Sequence, residues 1–328
     1  MAMIGRPNAA IILLPVDGPI IFLSALADQR IVPMATSPAA VPPVDRLGLL
    51  LALIMILFFA TAPNLARLAF DDGIGVLSFQ VVRFVVAVST MTVVALILRW
   101  PIRPMFSHWR GVGALAMVTI VGSFGYMTSV RYIPVGLATL IFFCFPILVA
   151  VLAHLSGHER VSGRRALGLA VAFGGLVIIF GVSWEQADPR GMGLALMAGM
   201  AVAVGYLVSR RMSQYLPSTS LSLGAIWGAG IFYITLGLIV GDHQWPASRV
   251  GWGGVVGAAI AYVIALTALY ATIARLGSVR SAAISNLEPL ITIIIAFLLL
   301  GERLTLSQML GGSLIIGALF FSRSRSAD

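Results

Sequence analysis

The sequence predicts an all-α integral membrane protein of ten transmembrane helices, arranged as two inverted five-helix repeats. Three observations predict it: a composition suited to lipid, ten apolar runs near the length of a bilayer crossing, and self-similarity at one fixed offset. Of the 328 residues, 59% are hydrophobic and 10% charged, whereas a soluble domain carries about 25% charged residues. A bilayer core about 30 Å thick is crossed by about 20 helical residues.

The first 46 residues read as a flexible N-terminal tail. Their apolar stretches are broken by Pro15, Asp17, Gly18 and Pro19 and are too short to span a bilayer. Ala25-Leu26-Ala27 has the form of a signal-peptide cleavage site, but Asp17 and two prolines fall in what would be its apolar core. Met34 to Arg46 is rich in Pro, Ala and Ser, as expected of a tail or of a start assigned too far upstream.

The first repeat, residues 47–184, holds five apolar runs: Leu47–Ala66, Val76–Leu98, Val112–Val130, Pro134–Ser156 and Ala166–Trp184. The second, residues 190–322, holds five more: Gly191–Ser209, Leu221–Val240, Val255–Ile273, Val279–Leu300 and Leu304–Phe321. We refer to these as segments 1 to 10. The connections between them are too short to hold a soluble catalytic domain.

A formal charge of +9 would suit a nucleic-acid binder if the basic residues formed a stripe, but they cluster at segment ends. All 21 are arginine. Fifteen fall in alternate connections and both termini, among them Arg46, Arg99, Arg103, Arg110, Arg164, Arg165, Arg210, Arg211, Arg275 and Arg323. The opposite connections hold five, Arg67, Arg131, Arg190, Arg249 and Arg303, beside Asp71, Asp72, Glu185, Asp188 and Asp242. The positive-inside rule then places both termini in the cytoplasm, as expected of a multi-pass protein of the bacterial cytoplasmic (inner) membrane. Cys144, the single cysteine, rules out an internal disulfide and a cysteine metal site.

Sliding the chain against itself by 143 residues aligns the two halves without a gap. Arg67 meets Arg210, Trp109 meets Trp252, Pro146 meets Pro289, and Glu159-Arg160 meets Glu302-Arg303. Apolar matches could arise from composition alone; Trp, Pro and Glu-Arg at one offset could not. A unit with an odd number of helices enters the membrane from opposite sides in its two copies, so the repeats are inverted. Inverted repeats are a recurring architecture of secondary transporters, because two copies of one shape can exchange conformations around a central site.

The two five-helix units, Arg83-Phe84 in segment 2, Leu287-Glu288-Pro289 in segment 9 and Gly301-Glu302-Arg303 at its end resemble the EamA-type branch of the drug/metabolite transporter superfamily. The resemblance runs from Leu47 to Phe321, with one departure, His158-Glu159-Arg160 in place of the Gly-Glu-Arg motif in the first repeat. It implies export of amino acids and other metabolites, and a cavity bordered by segments 1, 3, 4, 6, 8 and 9.

Ionisable residues deep in a membrane are costly and need a reason. Arg83 and Glu288 each lie nine residues inside their segments, counted from opposite faces. At 1.5 Å per residue both sit about 13 Å deep and can meet at one level. Glu288 can take up a proton or a substrate amino group, with Arg83 as its counter-charge; alternatively the two form a structural ion pair that keeps segments 2 and 9 in register. Pro146 and Pro289 each remove a backbone hydrogen bond and kink segments 4 and 9, and broken helices in matching positions of two halves point to a transporter site. Asn64, Ser123, Tyr126, Tyr206, Tyr262 and Ser285 are further candidates for the site, with Trp227 and Tyr270 as additional walls. Each is also a reasonable packing residue or interfacial anchor.

Gly168/Ala172 and Gly199/Ala203 have the small-x-x-x-small spacing of close helix packing, within the chain or in a homodimer. A membrane-embedded enzyme would need clustered His, Asp or Cys, and the four histidines, His108, His154, His158 and His243, are scattered. The expectation is therefore a secondary transporter that exports amino acids or related small metabolites by alternating access, with proton coupling through Glu288. Its partners are a small-molecule substrate and the lipid bilayer, with no nucleic acid, cofactor or metal. A passive pore or a membrane sensor is the alternative.

Overall fold

A computed structural model of the chain describes residues 45–157, 159, 161–181, 187–241, 244–300 and 305–322. The tail up to residue 44, His158, Arg160, Trp184, Glu185, Asp242, His243, Gly301, Glu302, Arg303, Arg323 and Arg325 lie outside the described residues.

The helices are α1 (Arg46–Asp71), α2 (Val76–Ile97), α3 (Trp109–Ser129), α4a (Val135–Phe142), α4b (Phe145–Leu155), α5 (Gly163–Phe180), α6 (Pro189–Met212), α7 (Ser218–Val240), α8 (Arg249–Leu276), α9a (Ser278–Ser285), α9b (Glu288–Leu300) and α10 (Leu306–Ser322). A single-turn helix, Arg103–Ser107, links α2 to α3. Among the described residues, nine helical stretches are long and apolar enough to cross a membrane, counting α4a with α4b and α9a with α9b as one each. The tenth, α10, is a shorter apolar helix.

Packing partners repeat under the exchange of the two halves. α1 lies on α8 as α3 lies on α6, α6 contacts both halves of α4 as α1 contacts α9b, and α5 pairs with α10. The inversion is visible in the contacts at one end of the bundle. Asp45, at the start of α1, forms an ion pair with Arg275 in the last turn of α8, Nε to Oδ2 at 2.9 Å. Arg210, in the last turn of α6, donates through Nη1 to the Ala274 carbonyl at 2.6 Å. The beginning of α1 and the end of its repeat-equivalent α6 thus meet the same end of α8, so the two helices run in opposite directions.

Small residues face inward and large apolar ones face outward. Ala60, Ala87, Ala195, Ala203 and Ala265 are fully enclosed, while Leu238, Ile239 and Leu298 are 78%, 76% and 70% exposed. In water such a surface would aggregate; in lipid it is the solvated face. Both small-x-x-x-small pairs are used within the chain. Gly168 and Ala172 are buried on α5, which packs on α10, and Gly199 is set against the break in α4.

The breaks in α4 and α9 fall at repeat-equivalent positions, Phe143–Cys144 and Asn286–Leu287, each followed two residues later by Pro146 or Pro289. Pro146 has no N–H to offer the Phe142 carbonyl four residues back. That carbonyl lies against Gly199 of α6, where a Cβ would come within 2.9 Å of the oxygen, so only glycine allows α6 this close.

Candidate functional site

Both breaks border one cavity of about 220 Å³. It is lined by Phe59 of α1, Arg83 of α2, Thr119, Gly122, Ser123 and Tyr126 of α3, Phe142 and Phe145 on either side of the α4 break, Gly205 and Tyr206 of α6, Tyr262, Leu266 and Tyr270 of α8, and Glu288 at the start of α9b. Every segment named by the resemblance contributes, α1 through Phe59 alone and α9 through Glu288 alone, and α2 joins them through Arg83. Arg83 and Glu288 are the charged residues among the cavity's lining side chains.

Arg83 and Glu288 do not form the ion pair that their common depth allows. The Arg83 guanidinium donates instead through Nη2 to Ser123 Oγ at 3.0 Å. It lies over the rings of Tyr262 and Phe84, its central carbon 4.6 and 4.9 Å from their centroids. Arg83 Nε is buried without a partner. The same Ser123 hydroxyl accepts from Gln80 Nε2, one turn earlier on α2. Aromatic faces and a hydroxyl replace the expected carboxylate, because cation–π contacts already supply part of the lost solvation of a guanidinium. A cation in this position is still expensive, about 2.5–3.5 kcal/mol at the membrane centre, so it faces the cavity rather than lipid.

Glu288 is the first residue of α9b and occupies the repeat position of Phe145. Its placement depends on neighbours that do not themselves line the cavity. Asn64 of α1 donates through Nδ2 to the carbonyls of Ala60 at 3.0 Å and Thr292 at 3.1 Å, and Thr292 Oγ1 donates to the Glu288 carbonyl at 2.8 Å. Ser285, the last residue of α9a, shares a 2.8 Å hydrogen bond with the Tyr206 hydroxyl. Asn64 and Ser285 therefore fix the two sides of the α9 break, and are positioning residues rather than lining ones.

Of the remaining candidates, Ser123, Tyr126, Tyr206, Tyr262 and Tyr270 line the cavity, while Trp227 does not; its Nε1 donates to Thr92 Oγ1 at 3.0 Å and ties α7 to α2. Phe142, Phe145, Thr119 and Gln80 were not singled out as site residues by sequence reasoning. Two carried a usable signal: Phe145 is the repeat partner of Glu288, and Gln80 shares a helix face with Arg83 three residues on. No group of three or more His, Cys, Asp or Glu able to hold a metal comes together among the described residues.

Comparison with known proteins agrees with this architecture. A family model described as the EamA-like transporter family matches residues 46–181 and again 189–324. The chain is 25% identical to the threonine/homoserine exporter RhtA of Escherichia coli (strain K12), over 71% of this chain and 77% of that protein. It is 27% identical to a protein described as the uncharacterized transporter YvbV of Bacillus subtilis (strain 168), over 87% of this chain and 93% of that protein. A probable terminal-alkyne amino-acid exporter of Streptantibioticus cattleyicolor is 23% identical over 77% of this chain and 86% of its own. One solved crystal structure superimposes with a TM-score of 0.75, covering 84% of this chain and 97% of that one at 15% identity, a likeness of fold. Two matches of one family model, one per repeat, make this multi-pass membrane protein a member of the EamA-like transporter family.

Proposed function

We propose that the chain exports amino acids or related small metabolites from the cytoplasm across the bacterial inner membrane, by alternating access of its two repeats. The observation that carries this reading is the pair of unlike, unpaired charges facing one cavity between the repeats. An amino acid carries a carboxylate and an ammonium group, and Arg83 and Glu288 offer one counter-charge for each. The volume is also suitable: about 220 Å³ is below the about 300–1,000 Å³ of pockets that hold drug-sized ligands. Relatives described as amino-acid exporters support the solute class.

Glu288 is the coupling group in this proposal. A carboxyl at the midplane without a fixed cation beside it can exchange a proton for a substrate ammonium as the cavity changes sides. Arg83 stays charged throughout, since arginine does not lose its proton in proteins. The two termini lie in the cytoplasm, following the distribution of arginines over the connections.

The reading is tested by comparing a deletion strain with an overproducing strain for tolerance to added amino acids and for their accumulation inside cells. Overproduction should raise tolerance and lower the internal pool of at least one amino acid, with the opposite changes on deletion. Unchanged amino-acid pools in both strains would remove the proposed solute class.

A further inference from the structure

We infer that Glu159 is the latch of a gate that shuts the cytoplasmic half of the transport pathway, and that the buried serine face of α9a is the wall of that pathway when the gate opens. This rests on the alternating-access reading above and names the parts that close one side. The two halves of the molecule are not in the same conformation. At the end of the bundle where α1 begins, cytoplasmic in that reading, α4b packs on α9a and α6 packs on α8. The repeat-equivalent contacts, α9b on α4a and α1 on α3, are not made to a comparable extent among the described residues. Arg83, Ser123, Tyr126 and Phe142 keep partial access, while Tyr206, Tyr270 and Ser285, on the cytoplasmic side of the cavity, are buried. Inverted repeats that differ in this way have one side closed and the other not.

Glu159 holds the closure. Its N–H donates to the Ala153 carbonyl of α4b at 3.2 Å. Its Oε1 accepts from the N–H of Ser278, the first residue of α9a, at 3.2 Å and from the Ser278 hydroxyl at 3.0 Å. The first repeat thus holds the second through a carboxylate on a helix N-terminus, where the helix dipole favours negative charge. Gly277, at φ +87°, turns α8 directly into α9a, and Glu159 Oε1 lies 3.1 Å from where a Cβ would stand on it. Glu159 is also part of the Glu-Arg match at offset 143, which nothing in the cavity explains.

Behind the latch, the closed seam is polar. Ser278, Ser281 and Ser285 lie three and four residues apart on one face of α9a and are buried. Ser209 Oγ of α6 and Thr272 Oγ1 of α8 are buried without a partner. The repeat-equivalent residues are Val135, Ala138, Phe142, Ala66 and Ser129, of which only Ser129 has a hydroxyl. A permanently sealed seam is better served by apolar residues, since an enclosed hydroxyl without a partner is destabilising. Water in an opened passage satisfies these groups, and they occupy the half that leads from Glu288 to the cytoplasm.

The test needs no solute. In a Cys144→Ala background, the reporter Ser281→Cys is treated with a membrane-impermeant maleimide from the cytoplasmic side. A second reporter, Met127→Cys, replaces a residue that lines the cavity near the external end of α3 and is treated from outside. With Glu159 intact, Ser281→Cys should react slowly and Met127→Cys fast. Glu159→Ala should speed the reaction of Ser281→Cys by about tenfold or more and slow that of Met127→Cys. Ser278→Ala, which removes the hydroxyl bond and keeps the main-chain one, should shift both rates the same way by a smaller factor. It carries the test if Glu159→Ala does not give a folded, monodisperse protein. Ser281→Cys remaining shielded in the folded variants would overturn the inference and leave alternating access standing. A fast Ser281→Cys with Met127→Cys unchanged would instead overturn the alternating-access reading on which the inference rests, because both sides would then be open at once.

Discussion

At the scale of single residues, the clearest consequence concerns Glu288. Without an ion pair to Arg83, its charge supports no structural bridge. Glu288→Gln should then leave the melting temperature within the range of a conservative change, a shift equivalent to less than about 1 kcal/mol. A broken buried bridge would instead cost about 3–5 kcal/mol. The same variant should lose both transport driven by an imposed pH gradient and solute exchange, because glutamine imitates the protonated carboxyl, the form that has released the substrate ammonium. Thermal unfolding and the two transport assays on one preparation check both halves. Asn64→Ala makes the contrasting case. It removes the hydrogen bond that joins α1 to the Thr292 carbonyl, so thermal unfolding should show a loss of about 1 kcal/mol. Sequence reasoning found Arg83 and Glu288 because charges in apolar segments stand out. It paired them because depth along a helix is readable and rotation about its axis relative to a neighbour is not. That rotation turned Arg83 to Ser123 and Tyr262, and turned Asn64 away from the cavity.

At the scale of elements, proline positions and repeat offset were enough to locate the breaks in α4 and α9, since a missing N–H acts locally. The aromatic lining of the cavity was harder to read. Phe142 and Phe145 look like ordinary apolar residues in the sequence, and only the break between α4a and α4b presents both to one space. Elements also meet where no side chain mediates. α5 and α10 cross with Gly175 and Gly311 backbone to backbone, and a Cβ on Gly175 would come within 2.7 Å of the Gly311 carbonyl oxygen. Gly175→Ala should therefore destabilise the protein by about 1–3 kcal/mol, measured by thermal unfolding in detergent. At the end of the bundle where α1 begins, the hydrogen bond from Arg275 holds the Asp45 carboxyl below its usual 3.8. A lowered folded-state pKa contributes stability above the unfolded value that is lost as pH falls through the folded one. The α1–α8 junction should accordingly weaken only in acid, below about pH 4. Asp45→Asn should abolish that part of the pH dependence in unfolding scans.

At the scale of the whole molecule, the repeat at offset 143 and the alternation of arginines define the expected topology. An alkaline phosphatase fusion after Asp188 should be active and one after Arg211 inactive; the reverse would overturn the cytoplasmic placement of the termini. The fold was legible in the sequence at this scale because lipid permits few alternatives: every backbone group must be bonded within a helix, and helix lengths follow bilayer thickness. The cavity's contents were less legible, since they depend on which faces of seven helices converge.

The central claim is that two inverted repeats carry a solute by exchanging shapes around this cavity, and counterflow tests it most directly. Liposomes holding the purified protein and an excess of the unlabelled amino acid whose cellular pool responds to deletion and overproduction are diluted into a trace of the same amino acid, labelled. The account predicts that label rises transiently inside above its equilibrium level and then falls, because each outward passage of unlabelled solute returns the site to the labelled side. A monotonic approach to equilibrium without overshoot, under conditions where label does enter, would contradict a carrier and leave a pore.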